Sequence, residues 1–301
     1  AVGTLPHTMD ITQEQSKADV LIEALPYFQE FYGSTVLVKF GGSAMEDIER
    51  AHDVLRDVAF MSVAGLKPIV VHGGGKAINA ELAKAGVQPR FINGLRYTDE
   101  DTIRVVDKVL HNVVNADLVN FLRNKLHVKT AAVSGKNILR CEKIGTKDAE
   151  TGADLDLGYV GKVVNVDTPQ LEWILSRHQV PVVTPLACDM NGAVYNINAD
   201  MAACELAAEL KVRKLVFLSD VPGVLRDPKD PNSLISSIHC DEVDDLIAQG
   251  VISGGMIPKV RSAQEAVRAG VGQVHMIDGR LRHSLLLEIF TKKGVGTQIL
   301  P

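Results

Sequence analysis

Two glycine runs in this sequence each follow a short apolar run, and each has a lysine beside it. Lys39 lies in the run TVLVKF, residues 35–40, just ahead of Gly41-Gly42-Ser43. The stretch VVHGGGKAIN, residues 70–79, sets Gly73-Gly74-Gly75 and Lys76 between a strand-like and a helix-like run. Glycine at a strand-to-helix junction lets backbone N–H groups approach an anion, and the helix N-terminus adds a favourable dipole. A lysine inside an apolar strand is costly unless it reaches water or an anion. Phosphoryl transfer fits this pattern, because it needs positioning and cations around the moving group more than covalent help. Such a site calls for lysines beside glycine turns and a carboxylate to hold them.

Two more residues meet that demand only in company. Lys259 follows the turn Ser253-Gly254-Gly255-Met256-Ile257-Pro258; alone, it reads as a solvated helix residue. Asp200 ends YNINAD, residues 195–200, ahead of a helical run over 201–210. Alone, it reads as a helix N-cap worth ~1 kcal/mol. Several nucleotide motifs are excluded by spacing. A Walker A loop ending at Gly75-Lys76 needs glycine at Val70 and a hydroxyl at Ala77, and a dinucleotide fingerprint from Gly73 needs glycine at Ile78. The kinase triplets H-R-D and D-F-G are absent.

The elements that must position these groups alternate. Strand-like runs at 35–40 and 68–72 are each followed by glycines and a helical pattern, the first helix spanning 46–65. Further strands are expected at 128–133, 180–185, 214–219 and 274–278, with a hairpin insertion over 140–170. This order predicts an α/β fold with a mostly parallel sheet, whose ligands bind at the carboxyl ends of the strands. Residues 17–32, KADVLIEALPYFQEFY, form a separate helix with an apolar stripe of Leu21, Ala24, Leu25, Phe28, Phe31 and Tyr32. Pro26 interrupts that stripe, at a cost of ~3 kcal/mol unless the helix kinks. The stripe must be buried on the chain's own core or on a neighbouring subunit.

Composition narrows the class. With 46% apolar and 23% charged residues, 301 residues form an ordinary globular chain of one large domain or two lobes. A net charge of −5 without a long basic block argues against nucleic acid or an anionic membrane as partner. No apolar run approaches a membrane-spanning length, and AVGTLPHTMD has no secretory pattern. Met9 is a candidate native start. Four scattered cysteines without a C-x-x-C fit thiols in a reducing cytoplasm, with no metal site expected.

Taken together, seven stretches resemble the acetylglutamate kinases of the amino acid kinase family: VKFGGSAM (38–45), VVHGGGKAI (70–78), INGLRYTD (92–99), YNINAD (195–200), LSDVPGVL (218–225), GGMIPKV (254–260) and EIFTKKGVGT (288–297). The resemblance covers about residues 20–299. It implies an open α/β/α sandwich, with an acceptor lobe over 34–190, an ATP lobe over 191–301 and a kinked helical extension over 1–33. The implied reaction moves the γ-phosphoryl group of Mg-ATP to the side-chain carboxylate of N-acetyl-L-glutamate, on the way to arginine, in the cytoplasm. No tightly bound cofactor is expected. By resemblance Lys39 and Lys259 neutralise the transition state, and Asp200 organises them. Gly74, Gly75, Arg96 and Asn196 bind the acceptor, a role for which the planar fork of Arg96 suits a carboxylate. Gly41, Gly42, Ser219, Asp220, Gly223 and Leu225 line the ATP site.

The two ends resemble the arginine-inhibited branch, in which the N-terminal helix interlaces dimers into a hexamer, a trimer of dimers. Tyr27, His275, Glu288 and Gly294 are then the residues expected at the L-arginine effector. Whether a PII-type regulator binds is not inferable. Three places depart from the family pattern: Val133-Ser134-Gly135-Lys136-Asn137, the segment around 141–157, and Lys76, which stands where proline is frequent. Lys76 reads as a solvated first-turn lysine. The alternatives are a family member with another carboxylate or carbamate acceptor, and a non-catalytic arginine sensor.

Overall fold

The computed structural model describes residues 11–301 and centres on an eight-stranded sheet. In chain order the strands are β1 Thr35–Phe40, β2 Lys67–His72, β3 Thr130–Val133, β4 Val180–Val183, β5 Lys214–Ser219, β6 Ser237–His239, β7 Gln273–Asp278 and β8 Thr297–Leu300. They lie side by side as β6-β8-β7-β5-β1-β2-β4-β3, and every neighbouring pair is parallel except β7–β8. Successive side chains on a strand point to opposite faces, so two cores form. Leu37, Ile69, Val71, Leu215 and Phe217 join one apolar cluster, while Val36, Val38, Val70, Val216 and Leu218 join the other. Helices cover both faces, which is the expected α/β/α sandwich with a mostly parallel sheet.

The helices that matter for the site are α1 Ile11–Phe31, α2 Ile48–Val63, α3 Gly75–Lys84, α4 Glu100–Val109, α5 Ala199–Leu210, α6 Met256–Arg268 and α7 Ser284–Phe290. The helix expected over 46–65 is split. Asp47 is extended at φ −108° and ψ 122°, and its side chain accepts from the Glu49 amide, so it caps α2 and ends the short helix Ser43–Glu46. Beyond α4 the chain runs on through the π-helical turns Leu110–Asn115 and Phe121–Lys125, which apolar periodicity did not reveal. The expected hairpin is present as Leu139–Lys147 against Asp154–Val166. With Leu186–Cys188 and Val194–Ile197 it closes a four-stranded barrel.

Helix α1 buries only part of its stripe on the chain's own core. Phe31 is buried and Phe28 packs against Phe60 of α2 and Phe290 of α7, with ring centroids 5.9 and 5.0 Å away. Leu21 and Leu25 are 60% and 45% exposed, so the chain's own core takes only the last turn. Pro26 stays inside one continuous 21-residue helix; its position is exposed, where water can satisfy the carbonyl it leaves without a partner. Met9 and the residues before it lie outside the described residues. Among the described residues, no helix is long and apolar enough to cross a membrane.

Candidate active site

The carboxyl ends of β1 and β2 carry Gly41-Gly42 and Gly73-Gly74-Gly75, and that of β5 leads to Asp220. Lys39 is the fifth residue of β1, and its side chain is 14% exposed. Its Nζ lies 2.7 Å from Oδ1 of Asp200, and Lys259 Nζ lies 4.0 Å from Oδ2 of the same carboxylate. One carboxylate therefore faces two ammonium groups from β1 and from the first turn of α6. Asp200 itself is not the N-cap that its sequence position allowed. Asn198 caps α5, its Oδ1 accepting from the amides of Asp200 and Met201. Asp200 sits in the first turn, where a negative charge is favoured by the helix dipole, and is free to hold lysines.

The two glycine loops touch. A Cβ on Gly41 would stand 3.4 Å from the Gly73 amide nitrogen and 3.6 Å from Lys39 Nζ. Gly42 has φ +57°, which favours glycine, and a Cβ there would meet the Asp220 carboxylate at 3.6 Å. Gly74 lies against α4's continuation, where a Cβ would stand 2.6 Å from Leu110 Cδ2. Helix α3 begins at Gly75, so its first N–H groups have no intrahelical partner.

Arg96 comes from the hairpin Phe91–Ile92/Leu95–Arg96, whose Asn93-Gly94 turn has the two positive φ angles, 51° and 78°, of a tight hairpin. Arg96 is 7% exposed, and its guanidinium lies over the Phe91 ring at 4.7 Å. Its Nη2 donates weakly to the Gly75 carbonyl at 3.4 Å, while Nη1 is buried with no hydrogen-bond partner. A buried cation with an orphaned donor is costly, and an incoming carboxylate would repair it. Burial alone holds this guanidinium below its usual value. Gly74, Gly75, Arg96, Asn196 and Asn198 line one cavity of about 190 Å³. Asn196 also approaches the hydroxyl of Thr98 at 3.5 Å. The cavity fits a small acid better than a nucleotide.

Of the residues expected at the nucleotide, Ser219 ends β5 and Asp220 follows it to face Gly42. Gly223 and Leu225 behave differently. Gly223 is buried at φ +139°, with no room for a Cβ beside Thr297 Oγ1, and Leu225 forms an isolated bridge with Leu234. Gly223 fastens this loop to β8, and Leu225 ties it to Leu234. Lys76 is exposed, as expected of a first-turn lysine, and its Nζ donates to the Glu46 carbonyl at 3.0 Å.

Tyr27, His275, Glu288 and Gly294 are brought together elsewhere, around a cavity of about 1140 Å³. Glu288 accepts from His275 Nδ1 at 2.8 Å and from the Val295 and Gly296 amides at 2.6 and 2.9 Å. Burial works against this carboxylate, yet the His275 bond and the amides hold it below its usual value. Burial also lowers His275, although Glu288 opposes the shift. Lys214, at the start of β5, donates to His275 Nε2 at 3.1 Å, and burial brings it down to about 8. Sequence reading passed over Lys214, because a lysine opening a strand reads as solvated. Asn198 was missed too, although the spacing Asn198-Ala199-Asp200 before an apolar run was a cap signal.

The sequence and fold of this chain match those of known proteins. The family model for the amino acid kinase family matches residues 34–278. Acetylglutamate kinase from Heliobacterium modesticaldum is 47% identical over 289 residues, spanning 94% of this chain and 98% of the relative. The enzyme of that name from Brachyspira hyodysenteriae is 48% identical, spanning 96% and 98%. Among solved structures, N-acetylglutamate synthase from Neisseria gonorrhoeae, complexed with coenzyme A and L-arginine, superposes with TM-score 0.74 at 24% identity. That match spans 94% of this chain and 65% of the synthase. Carbamate kinase from Giardia lamblia bound to AMP-PNP gives 0.62 at 19% identity, over 89% of this chain and 98% of that one. The two structures attest the fold; the sequence relatives and the family model carry more, and by them the chain belongs to the amino acid kinase family, in its acetylglutamate kinase branch, and is a phosphotransferase.

Proposed function

We propose that this chain phosphorylates the side-chain carboxylate of N-acetyl-L-glutamate with ATP, as a step in making arginine, and that arginine inhibits it. The observation that carries the reaction is the single Asp200 carboxylate between Lys39 and Lys259, beside a cavity holding the unpartnered Nη1 of Arg96. Arg96 and Asn196 hold the acceptor, and the amides at Gly74 and Gly75 face its reacting end. An acceptor carboxylate oxygen then attacks the γ-phosphorus, the bond to the β,γ-bridging oxygen breaks, and ADP leaves with that electron pair. The product is an acyl phosphate. Lys39 and Lys259 neutralise charge on the moving group, and Asp200 keeps the two ammonium groups from repelling each other apart.

Among the described residues there is no group of three His, Cys, Asp or Glu side chains able to hold a metal. Magnesium would therefore enter on the phosphates of ATP, which suits an ion that keeps much of its water. The ATP lobe, 191–301, meets the acceptor lobe, 34–190, at the β1–β5 pair, with Ser219, Asp220, Gly41 and Gly42 on the phosphate side and Gly223 and Leu225 shaping the nucleotide loop. Arginine occupies the cavity of Tyr27, His275, Glu288 and Gly294, where the buried Glu288 carboxylate offers its guanidinium a partner. The exposed face of α1 supports assembly of dimers into a hexamer.

A coupled ADP-release assay with N-acetylglutamate, glutamate, aspartate, aminoadipate derivatives and carbamate tests the reading, with and without arginine. Turnover with N-acetylglutamate, suppressed by arginine, is the expected result. Turnover with another acid and none with N-acetylglutamate would reject the acceptor assignment; arginine binding with no turnover on any acceptor would make the chain a sensor.

A further inference from the structure

His72 ends β2, immediately before the triple glycine, and the reaction as described gives it no role. It is completely buried. Its Nδ1 lies 2.8 Å from the Gly73 carbonyl, and its Nε2 lies 3.0 Å from Nδ2 of Asn115. The same Asn115 nitrogen is 2.9 Å from the Val182 carbonyl in β4. These contacts fix every proton. A carbonyl only accepts, so the Val182 contact requires the Asn115 amide nitrogen, not its oxygen, on that side. That nitrogen also faces His72 Nε2, which must accept. The imidazole proton is then on Nδ1, donated to Gly73.

Asn115 reaches His72 because of the π-helical turns Leu110–Asn115. Residues 110, 114 and 115 meet the loop together: Leu110 Cδ2 and Val114 Cγ2 fill the space that a Cβ on Gly74 would need, at 2.6 and 3.3 Å. Wide turns of this kind recur at functional sites. Here they deliver two apolar side chains and one amide to the underside of the loop that lines the acceptor cavity.

We infer that His72, anchored by Asn115, is a positioning residue for the acceptor loop: its Nδ1–H holds the Gly73 carbonyl back against the sheet, which turns the amides of Gly74 and Gly75 toward the acceptor. Neither residue touches the acceptor. The inference rests on the proposed acceptor, so wild-type turnover of N-acetylglutamate is the control, and its absence would fault that assignment rather than this one.

The test contrasts two replacements. Asparagine keeps a donor where Nδ1 stands, whereas glutamine places its amide near Nε2 and leaves the Gly73 carbonyl without a donor. His72→Gln is expected to raise the acceptor KM about tenfold, with the ATP KM within twofold, since small misplacements of a reacting group cost up to about 10²-fold. His72→Asn is expected to recover most of that loss. Equal effects of the two variants, or an ATP KM that rises in step, would overturn the inference. Should either variant fail to fold, the wild-type chain answers by ¹⁵N imidazole NMR. The Nδ1–H tautomer of His72 is expected throughout pH 6–9, and the Nε2–H tautomer would overturn the inference.

Discussion

Lys39, Lys259 and Asp200 form a small electrostatic balance in which each member has one job. A carboxylate within 2.7 and 4.0 Å of two ammonium groups relieves their mutual repulsion, and under the proposed reaction the cations are then in place before charge moves. Lys39→Ala or Lys259→Ala is therefore expected to lower kcat by about 10²- to 10³-fold, by analogy with loss of an oxyanion donor, in steady-state assays. Arg96→Ala removes a ground-state contact as well, so the acceptor KM is expected to rise roughly 10- to 100-fold, the worth of a charged hydrogen bond. A kcat loss at unchanged KM would place Arg96 on the phosphoryl group instead.

His72 adds a pH prediction at the same scale. Burial lowers it from 6.5 to about 4, so below pH 6.5 the unfolded chain binds a proton that the folded chain refuses. Its contribution to stability is complete above 6.5 and is lost as pH falls through 4, about 3 kcal/mol in all. Denaturation series between pH 7 and pH 4 are expected to show a shallower acid loss for His72→Asn than for wild type. An unchanged slope would mean that other groups govern the acid side.

Among the elements, the π-helical run after α4 decides how closely the backbone of the loop Gly73-Gly74-Gly75 can approach. Gly74 is at φ −178°, an ordinary extended value, so its need for glycine is one of space, set by Leu110. Gly74→Ala is expected to cost about 1–3 kcal/mol of stability through overpacking. Gly255, at the start of α6, has φ −66° and nothing within 4 Å of a Cβ. Gly255→Ala is expected within about 0.5 kcal/mol of wild type, as for an open surface site. Paired thermal melts separate the two, and equal losses would contradict the geometry.

At the scale of the whole molecule, β5 joins the two cavities. Lys214 at its amino end lines the large cavity, and Ser219 at its carboxyl end leads to Asp220 opposite Gly42, roughly 17 Å away at the rise of a strand. Helix α1 closes the large cavity with Tyr27, Glu30 and Phe31 while leaving Ile11, Val20, Leu21, Ile22 and Leu25 exposed. An apolar face of that kind marks an interaction surface. Deleting residues 1–33 is expected to reduce the assembly to dimers in light scattering and to remove inhibition by arginine. An unchanged hexamer would dismiss the interlacing role of α1.

Several parts of this arrangement were legible in the sequence. Glycine at strand ends and the 2.0 and 3.6 periodicities are local, since backbone sterics act within a few residues. They pointed to the parallel sheet, the hairpin over 140–170 and the glycine turns beside Lys39 and Lys259, whereas Arg96 came only from the resemblance. The resemblance then picked out residues far apart in the chain, Lys39, Asp200 and Lys259 among them, as one candidate site. What periodicity could not reveal depended on partners distant in the chain. Asn115 meets His72 only through π-helical turns, Lys214 is buried only because β5, β7 and α7 close around it, and Leu21 stays exposed because the core ends at Phe28. A single sequence records a residue's propensities; burial, tautomer and the direction of a buried charge are set by neighbours that folding brings in, and only the tertiary structure decides them.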